Sequence, residues 1–237
     1  MINGKYMHLL DKWQIEIGKL IQRIYAATTD KHWLVEEIKM SQARTLNDKE
    51  LNLLLLYINT RKHALRDRCM VLMTYWSGAR IKEVALTKVG DVLALDGTIK
   101  TEIRLTAEQT KGKHARTIVL ADKLRKEILT YLQTRFDTKQ LIALTYTDAM
   151  NKPLFATQKR QGFDSNTACY HFHMLYKNAG LVGASSHSGR RSFLTQLSAR
   201  GVPIKVLMEL ASHRSIQTTA RYIDVTTDMK RAAVELV

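Results

Sequence analysis

Apolar residues recur along most of this chain at the three- and four-residue spacing of a helix. Over 6–27, Leu9, Leu10, Trp13, Ile17, Leu20, Ile21 and Ile24 share one side, so the pattern predicts an amphipathic helix. Residues 47–60 predict another, with Asn47 followed three positions later by Glu50 in a capping-box arrangement. The stretch 66–76 is apolar nearly all round and predicts a buried core helix. After it, Ile81, Val84, Ala85 and Leu86 mark a short amphipathic helix within 80–92. The period then changes. Residues 97–120 alternate, are rich in Thr, Ile and Val, and break at Lys111-Gly112-Lys113, which predicts a β-hairpin. Helical spacing returns over 121–135, 165–179, 188–200 and 203–211, with a short helix near 215–222 and a tail helix in 226–237. The expected fold class is mainly α with one small antiparallel sheet (α+β). A boundary within 36–48 separates a short N-terminal helical segment, 1–42, from the main body, 43–237.

Composition narrows the function classes. With 45% hydrophobic and 25% charged residues over 237 positions, a sizeable core can form. Thirty-seven Lys and Arg stand against 22 Asp and Glu, a net charge of +15, which points to a polyanionic partner. No apolar run is long enough for a membrane span, and the charged start does not resemble a signal peptide. These features favour nucleic acid over a membrane and predict a soluble, cytoplasmic protein. Cys69 and Cys169 lie far apart in apolar contexts, so both read as buried structural thiols rather than as a disulfide or zinc pair.

Four segments carry candidate chemistry. In "HSGRRSFLTQLSARG", 187–201, His187 shares a helix face with Arg190 and Arg191 at the start of a predicted helix. Cations at that end oppose the helix dipole, and a bound anion resolves the conflict; a solvated basic turn is the alternative. In "YWSGARIKEV", Glu83 follows Arg80 by three positions and can orient its guanidinium; a surface ion pair is the alternative. Lys111 and Lys113 occupy the hairpin tip, and His213 precedes Tyr222 by nine positions. Together these segments supply arginines, a lysine, histidines and a tyrosine. That set suits phosphoryl transfer. Planar guanidiniums bind two phosphate oxygens at once, a tyrosine hydroxyl can be the nucleophile, and a Lys or His can protonate the leaving alkoxide.

The order Gly78-Ala79-Arg80-Ile81-Lys82-Glu83, Lys111, His187-Ser188-Gly189-Arg190, Ser212-His213 and Tyr222 resembles the tyrosine recombinases, or phage integrase family, from about residue 43 onward. The resemblance implies the catalytic-domain fold of those enzymes. It implies that Arg80 and Arg190 clamp a scissile DNA phosphate, and that Lys111 protonates the 5′-hydroxyl, with Lys113 as the alternative. It implies acid–base transfer by His187, a hydrogen bond to phosphate from His213, and attack by Tyr222 to form a 3′-phosphotyrosyl link. No ATP or metal ion is implied. The implied partners are double-stranded DNA, a homo-tetramer on two sites, exchange of the tail 226–237 between protomers, and accessory DNA-bending proteins. The implied setting is a bacterial, phage or plasmid protein at the nucleoid.

The sequence departs from the family pattern in three places. Ser212 replaces a common Gly, and Arg191 replaces a common His. The short N-terminal segment falls short of a full core-binding domain, as in fimbrial phase-variation invertases. The leading expectation is a site-specific recombinase acting in integration, excision, inversion or resolution. The alternatives are a catalytically silent DNA-binding regulator and a type IB topoisomerase-like relaxing enzyme.

Overall fold

The structure, a computed structural model, describes residues 43–110, 114–144, 148–157, 162–223, 225 and 227–235. The predicted helix over 6–27 and the hairpin lysines Lys111 and Lys113 lie outside the described residues. Helix α1 (Asp48–Asn59) opens as its sequence predicts: Asn47 Oδ1 accepts from Glu50 N at 2.9 Å, and Glu50 Oε2 accepts from Asn47 N at 3.0 Å. Helix α2 (Ala64–Ser77) is the central one. Cys69, Met70, Val71, Leu72 and Met73 are all buried, so every side of the helix meets protein. Cys69 is buried as expected, but Cys169 is only half-buried, packed at the margin of the main apolar cluster.

The apolar run after Arg80 forms two short helices, α3 (Ile81–Leu86) and α4 (Val89–Val92). The alternating segment forms two four-residue strands, β1 (Glu102–Leu105) and β2 (Arg116–Val119), paired antiparallel with Leu105 opposite Arg116. Ile103 and Leu105 face inward from β1, and Arg116 and Ile118 face inward from β2. Then come α5 (Asp122–Gln133), α6 (Thr138–Leu144) and a 3₁₀ turn (Asp148–Asn151). The last two were not read from the pattern: the turn is too short to show a period, and the apolar residues of α6 are consecutive, 141–144, rather than helically spaced. The chain continues with α7 (Ser165–Asn178), α8 (Ser188–Ala199), α9 (Ile204–Ala211), α10 (Ile216–Ala220) and α11 (Thr227–Val234).

Two apolar clusters organise these elements. The large one fills the space around α2. A small one joins Leu194 of α8 to Leu207 and Ala211 of α9, with Leu197, Tyr222 and Ile223 packed against it. Helix α8 lies close against α2 because Gly189 has no side chain. A Cβ there would overlap the Thr74 hydroxyl, so any larger residue would push α8 off the central helix. Helix α9 ends at Ser212, which adopts left-handed backbone at φ 49° and ψ 54°. Glycine is the usual occupant of this position, since an L side chain there costs about 1–2 kcal/mol. Ser212→Gly should therefore raise stability by about 0.5–1 kcal/mol, part of the relief being offset by glycine's greater freedom in the unfolded chain. A higher urea midpoint at unchanged slope is the expected result, and an unchanged or lower midpoint contradicts it.

Candidate active site

Three chain segments deliver guanidiniums to one place. Arg80 leaves the left-handed Gly78 turn (φ 65°) at the end of α2 and precedes α3. Glu83, one turn into α3, is fully buried; its Oε2 accepts from Arg80 N at 2.7 Å and its Oε1 from Arg80 Nη1 at 3.0 Å. Glu83 thus holds both the backbone and the guanidinium of Arg80 from a buried position, and the pair is not a surface ion pair. Arg190 is 1% exposed. It donates through Nη1 to Gly78 O at 2.5 Å and through Nη2 to Ala211 O at 2.6 Å. Arg116, on the inward face of β2, donates through Nη1 to Ala211 O at 2.9 Å and lies 3.6 Å from Glu83 Oε2. Arg80 Nη2 adds a third bond to Ala211 O at 3.3 Å.

The Ala211 carbonyl closes the last turn of α9, where a helix carries partial negative charge. Arg190 therefore does not crowd the start of its own helix, as the sequence suggested. Its guanidinium turns inward to the negative end of another helix. Arg191 is also buried. His187 caps the start of α8 from an exposed position, with its backbone N–H donating to Ser185 Oγ at 3.3 Å.

His213 follows the left-handed Ser212. Its Nδ1 lies 2.9 Å from Thr219 Oγ1 and its Nε2 lies 2.9 Å from Arg190 Nη2. A guanidinium only donates, so Nε2 must accept and the ring is neutral with its proton on Nδ1. Burial first, and then the charges of Arg190, Arg80 and Arg116, push the His213 pKa down to about 4 from 6.5. Burial and the neighbouring Arg80 and Arg116 lower Arg190 to about 9, which leaves it charged at neutral pH. The Tyr222 ring centre is 5.2 Å from that of His213. Tyr222 is half-buried on the small apolar cluster, and Thr195 Oγ1 donates to its carbonyl at 2.6 Å.

Arg80, Arg116 and His213 border a cleft of about 580 Å³, which Thr110, His114 and Arg214 also line. Thr110 and His114 flank the hairpin tip. Thr110 Oγ1 accepts from His114 N at 3.2 Å, and Lys82 Nζ donates to Thr110 O at 3.1 Å, so the base of the tip is tied to α3. The structure thus brings together Arg80, Glu83, Arg190, His213 and Tyr222. Arg116 was missed from the sequence, although its alternation with Ile118 placed it on the inward face of β2. Among the described residues, no group of three or more His, Cys, Asp or Glu side chains could hold a metal ion. Nor is any described helix long and apolar enough to cross a membrane.

A sequence profile of the phage integrase family matches residues 44–229. The tyrosine recombinase XerA of Pyrococcus furiosus is 28% identical over 201 residues, covering 84% of this chain and 63% of that protein. The XerA of Pyrococcus horikoshii is 30% identical over 174 residues, covering 72% and 54%. The chain thus spans between about half and two thirds of the length of these curated relatives. Among solved structures, XerA recombinase superposes with a TM-score of 0.64 at 22% identity, covering 83% of this chain and 66% of that one. The Tn1549 transposon integrase, solved in complex with transposon right end DNA, superposes with a TM-score of 0.61 at 18% identity, covering 84% and 67%. These likenesses bear out the expected mainly α fold with its small antiparallel sheet.

Proposed function

The chain belongs to the phage integrase family, and from that membership and the site geometry we propose that it is a site-specific DNA recombinase. The observation that carries the proposal is the convergence of Arg80 and Arg190 on the Ala211 carbonyl beside the cleft that Arg80 and His213 line, with the Tyr222 ring 5.2 Å from that of His213. A phosphodiester under attack gains negative charge, and preorganised guanidiniums stabilise that gain. Tyr222 Oη attacks the phosphorus, with His187 taking part in its proton transfer. The 3′-phosphotyrosyl bond forms as the bond to the 5′ oxygen breaks, and Lys111 delivers the proton which that oxygen needs. Lys113 is the alternative donor. On releasing Arg190, His213 takes the tautomer with its proton on Nε2, Nδ1 then accepting from the Thr219 hydroxyl, and Nε2 donates to the phosphate; Arg191 supports the clamp. Because the phosphotyrosyl link keeps the bond energy, resealing by a DNA hydroxyl needs neither ATP nor a metal ion.

The partner is double-stranded DNA, as for the Tn1549 integrase, whose solved complex contains DNA. The basic balance of the chain supports this reading. A tetramer on two sites, helped by accessory DNA-bending proteins in the cytoplasm at the nucleoid, is the assembly that fits. The exchanged segment is 226–237: helix α11 follows Tyr222 within a few residues and exposes Val234. The catalytic unit is 43–237, with 1–42 as an appended segment.

The test uses a nicked suicide duplex carrying inverted repeats that flank the gene. The expected result is a covalent protein–DNA adduct on denaturing gels, formed equally well with EDTA present. DNA binding without an adduct points instead to a silent regulator. Relaxation of supercoiled plasmid without recombinants points to a topoisomerase-like enzyme.

A further inference from the structure

Arg116 is a buried charged group at the cleft to which the reaction scheme gives no work. It is 7% exposed, on a strand whose inward face is otherwise apolar, and its backbone sits opposite Leu105. A guanidinium placed there purely for stability would have its N–H groups matched by acceptors. Instead its Nε and Nη2 are buried without a hydrogen-bond partner, as is Arg190 Nε. Its remaining contacts are the two groups that the clamp also uses: the Ala211 carbonyl at 2.9 Å and Glu83 at 3.6 Å.

The first of those acceptors is oversubscribed. A carbonyl oxygen offers two lone pairs, yet Ala211 O faces N–H donors from Arg190, Arg116 and Arg80 at 2.6, 2.9 and 3.3 Å. The longest of these bonds belongs to Arg80, whose side chain is also the most exposed of the three clamp groups, at 23% against 4% for Arg116. Arg80 already donates to Glu83 Oε1 at 3.0 Å; if Arg116 were absent, it would also close on Ala211 O and would have to break a stronger bond to reach a phosphate. Charge points the same way. Arg80, Arg116 and Arg190 stand around the single carboxylate of Glu83, so the cluster carries an excess of two positive charges. A phosphodiester bears one negative charge and its pentacoordinate transition state about two. Without Arg116 the excess falls to one.

Resting on the phosphate clamp proposed above, we propose that Arg116 is a positioning residue. By competing for the Ala211 carbonyl and lying against Glu83, it keeps the Arg80 bond to that carbonyl long, so that Arg80 can turn to the scissile phosphate, and it supplies the positive charge that the transition state demands.

The test compares wild type, Arg116→Gln and Arg116→Lys on the nicked suicide duplex, with DNA affinity measured separately. His213 titration is followed by NMR in the protein without DNA. Among the described residues, His213 is faced by Arg190 of α8, Arg80 before α3, Arg116 of β2, and Tyr222 and Thr219 from the α10 segment. The expected result for Arg116→Gln is adduct formation slower by on the order of 10²-fold, the scale of a misplaced reacting group, with DNA affinity little changed. Its His213 titration should move up, since one of the cations holding it down is gone. Arg116→Lys should keep the low His213 titration and recover part of the rate.

An adduct rate in Arg116→Gln equal to wild type overturns the inference, as does a loss of DNA affinity equal to the loss of rate. If wild type itself forms no adduct, the proposed function fails while the titration still decides Arg116: an unmoved His213 sinks it and an upward shift keeps it. Should Arg116→Gln not fold, the Lys variant decides, and a rate as low as that of Tyr222→Phe overturns the proposal.

Discussion

Tyr222→Phe should abolish the covalent adduct and leave DNA binding unchanged. The hydroxyl is the only atom removed, and the ring keeps its place against His213 and on the Leu194–Leu207–Ala211 cluster. DNA affinity comes mainly from phosphate contacts made by Lys and Arg over a wide surface, to which one phenol adds little. Cleavage depends wholly on that oxygen. Removing a nucleophile from a catalytic unit typically costs 10⁴-fold or more, roughly the span between a strong gel band and none. The measurement is time-resolved adduct formation on the suicide duplex beside a binding titration. An adduct that persists in Tyr222→Phe rules out this nucleophile. Joint loss of adduct and binding means that Tyr222 holds the fold of the segment instead.

Arg190→Met separates function from stability. Cleavage should fall by about 10²–10³-fold or more, the scale for losing one preorganised donor to a developing oxyanion. Stability should hold or rise. The native side chain is buried beside two other guanidiniums, with one carboxylate shared among them. Replacing a buried charge of this kind by an apolar side chain of similar length is often neutral or stabilising. Methionine fills the space that alanine would leave empty.

The variant also changes the response to acid. In the native chain His213 has a pKa of about 4, against 6.5 for an ordinary histidine, so between those values the unfolded state binds the extra proton. Stability due to neutral His213 is therefore complete above pH 6.5 and is lost as pH falls toward 4. After burial, the Arg190 charge is the largest cause of that depression, so in Arg190→Met the loss across this window should be smaller. Urea midpoints at pH 7 and pH 5 measure it. A variant that loses as much stability as wild type between the two, or one that cleaves normally, refutes the assignment.

The family pattern located Arg80, Glu83, Arg190, His213 and Tyr222 because each sits at a fixed spacing within its own segment. The helical and alternating periods located α1, α2, α8, α9 and the hairpin for the same local reason. Two elements escaped: the 3₁₀ turn has too few residues to show a period, and in α6 the apolar residues 141–144 are consecutive rather than spaced along one face. Arg116 escaped because a lone arginine in an alternating strand looks like a hairpin surface charge until its face is known. Its in-phase partner Ile118 was the signal available.

What the sequence determined by itself is the inventory and the local geometry. It fixed which segments are helical, where Asn47 and Glu50 cap, and where an acid–arginine pair and a His–Tyr spacing occur. What only the tertiary structure decided is direction and charge. At the start of α8 the chain alone shows cations opposing a helix dipole. The fold carries Arg190 inward to the carbonyl end of α9, beside Arg80 and Arg116 from segments far away in the chain. The physical reason is that a side chain's periodicity states which face it lies on, whereas its electrostatic surroundings are set by whichever distant segments pack against that face.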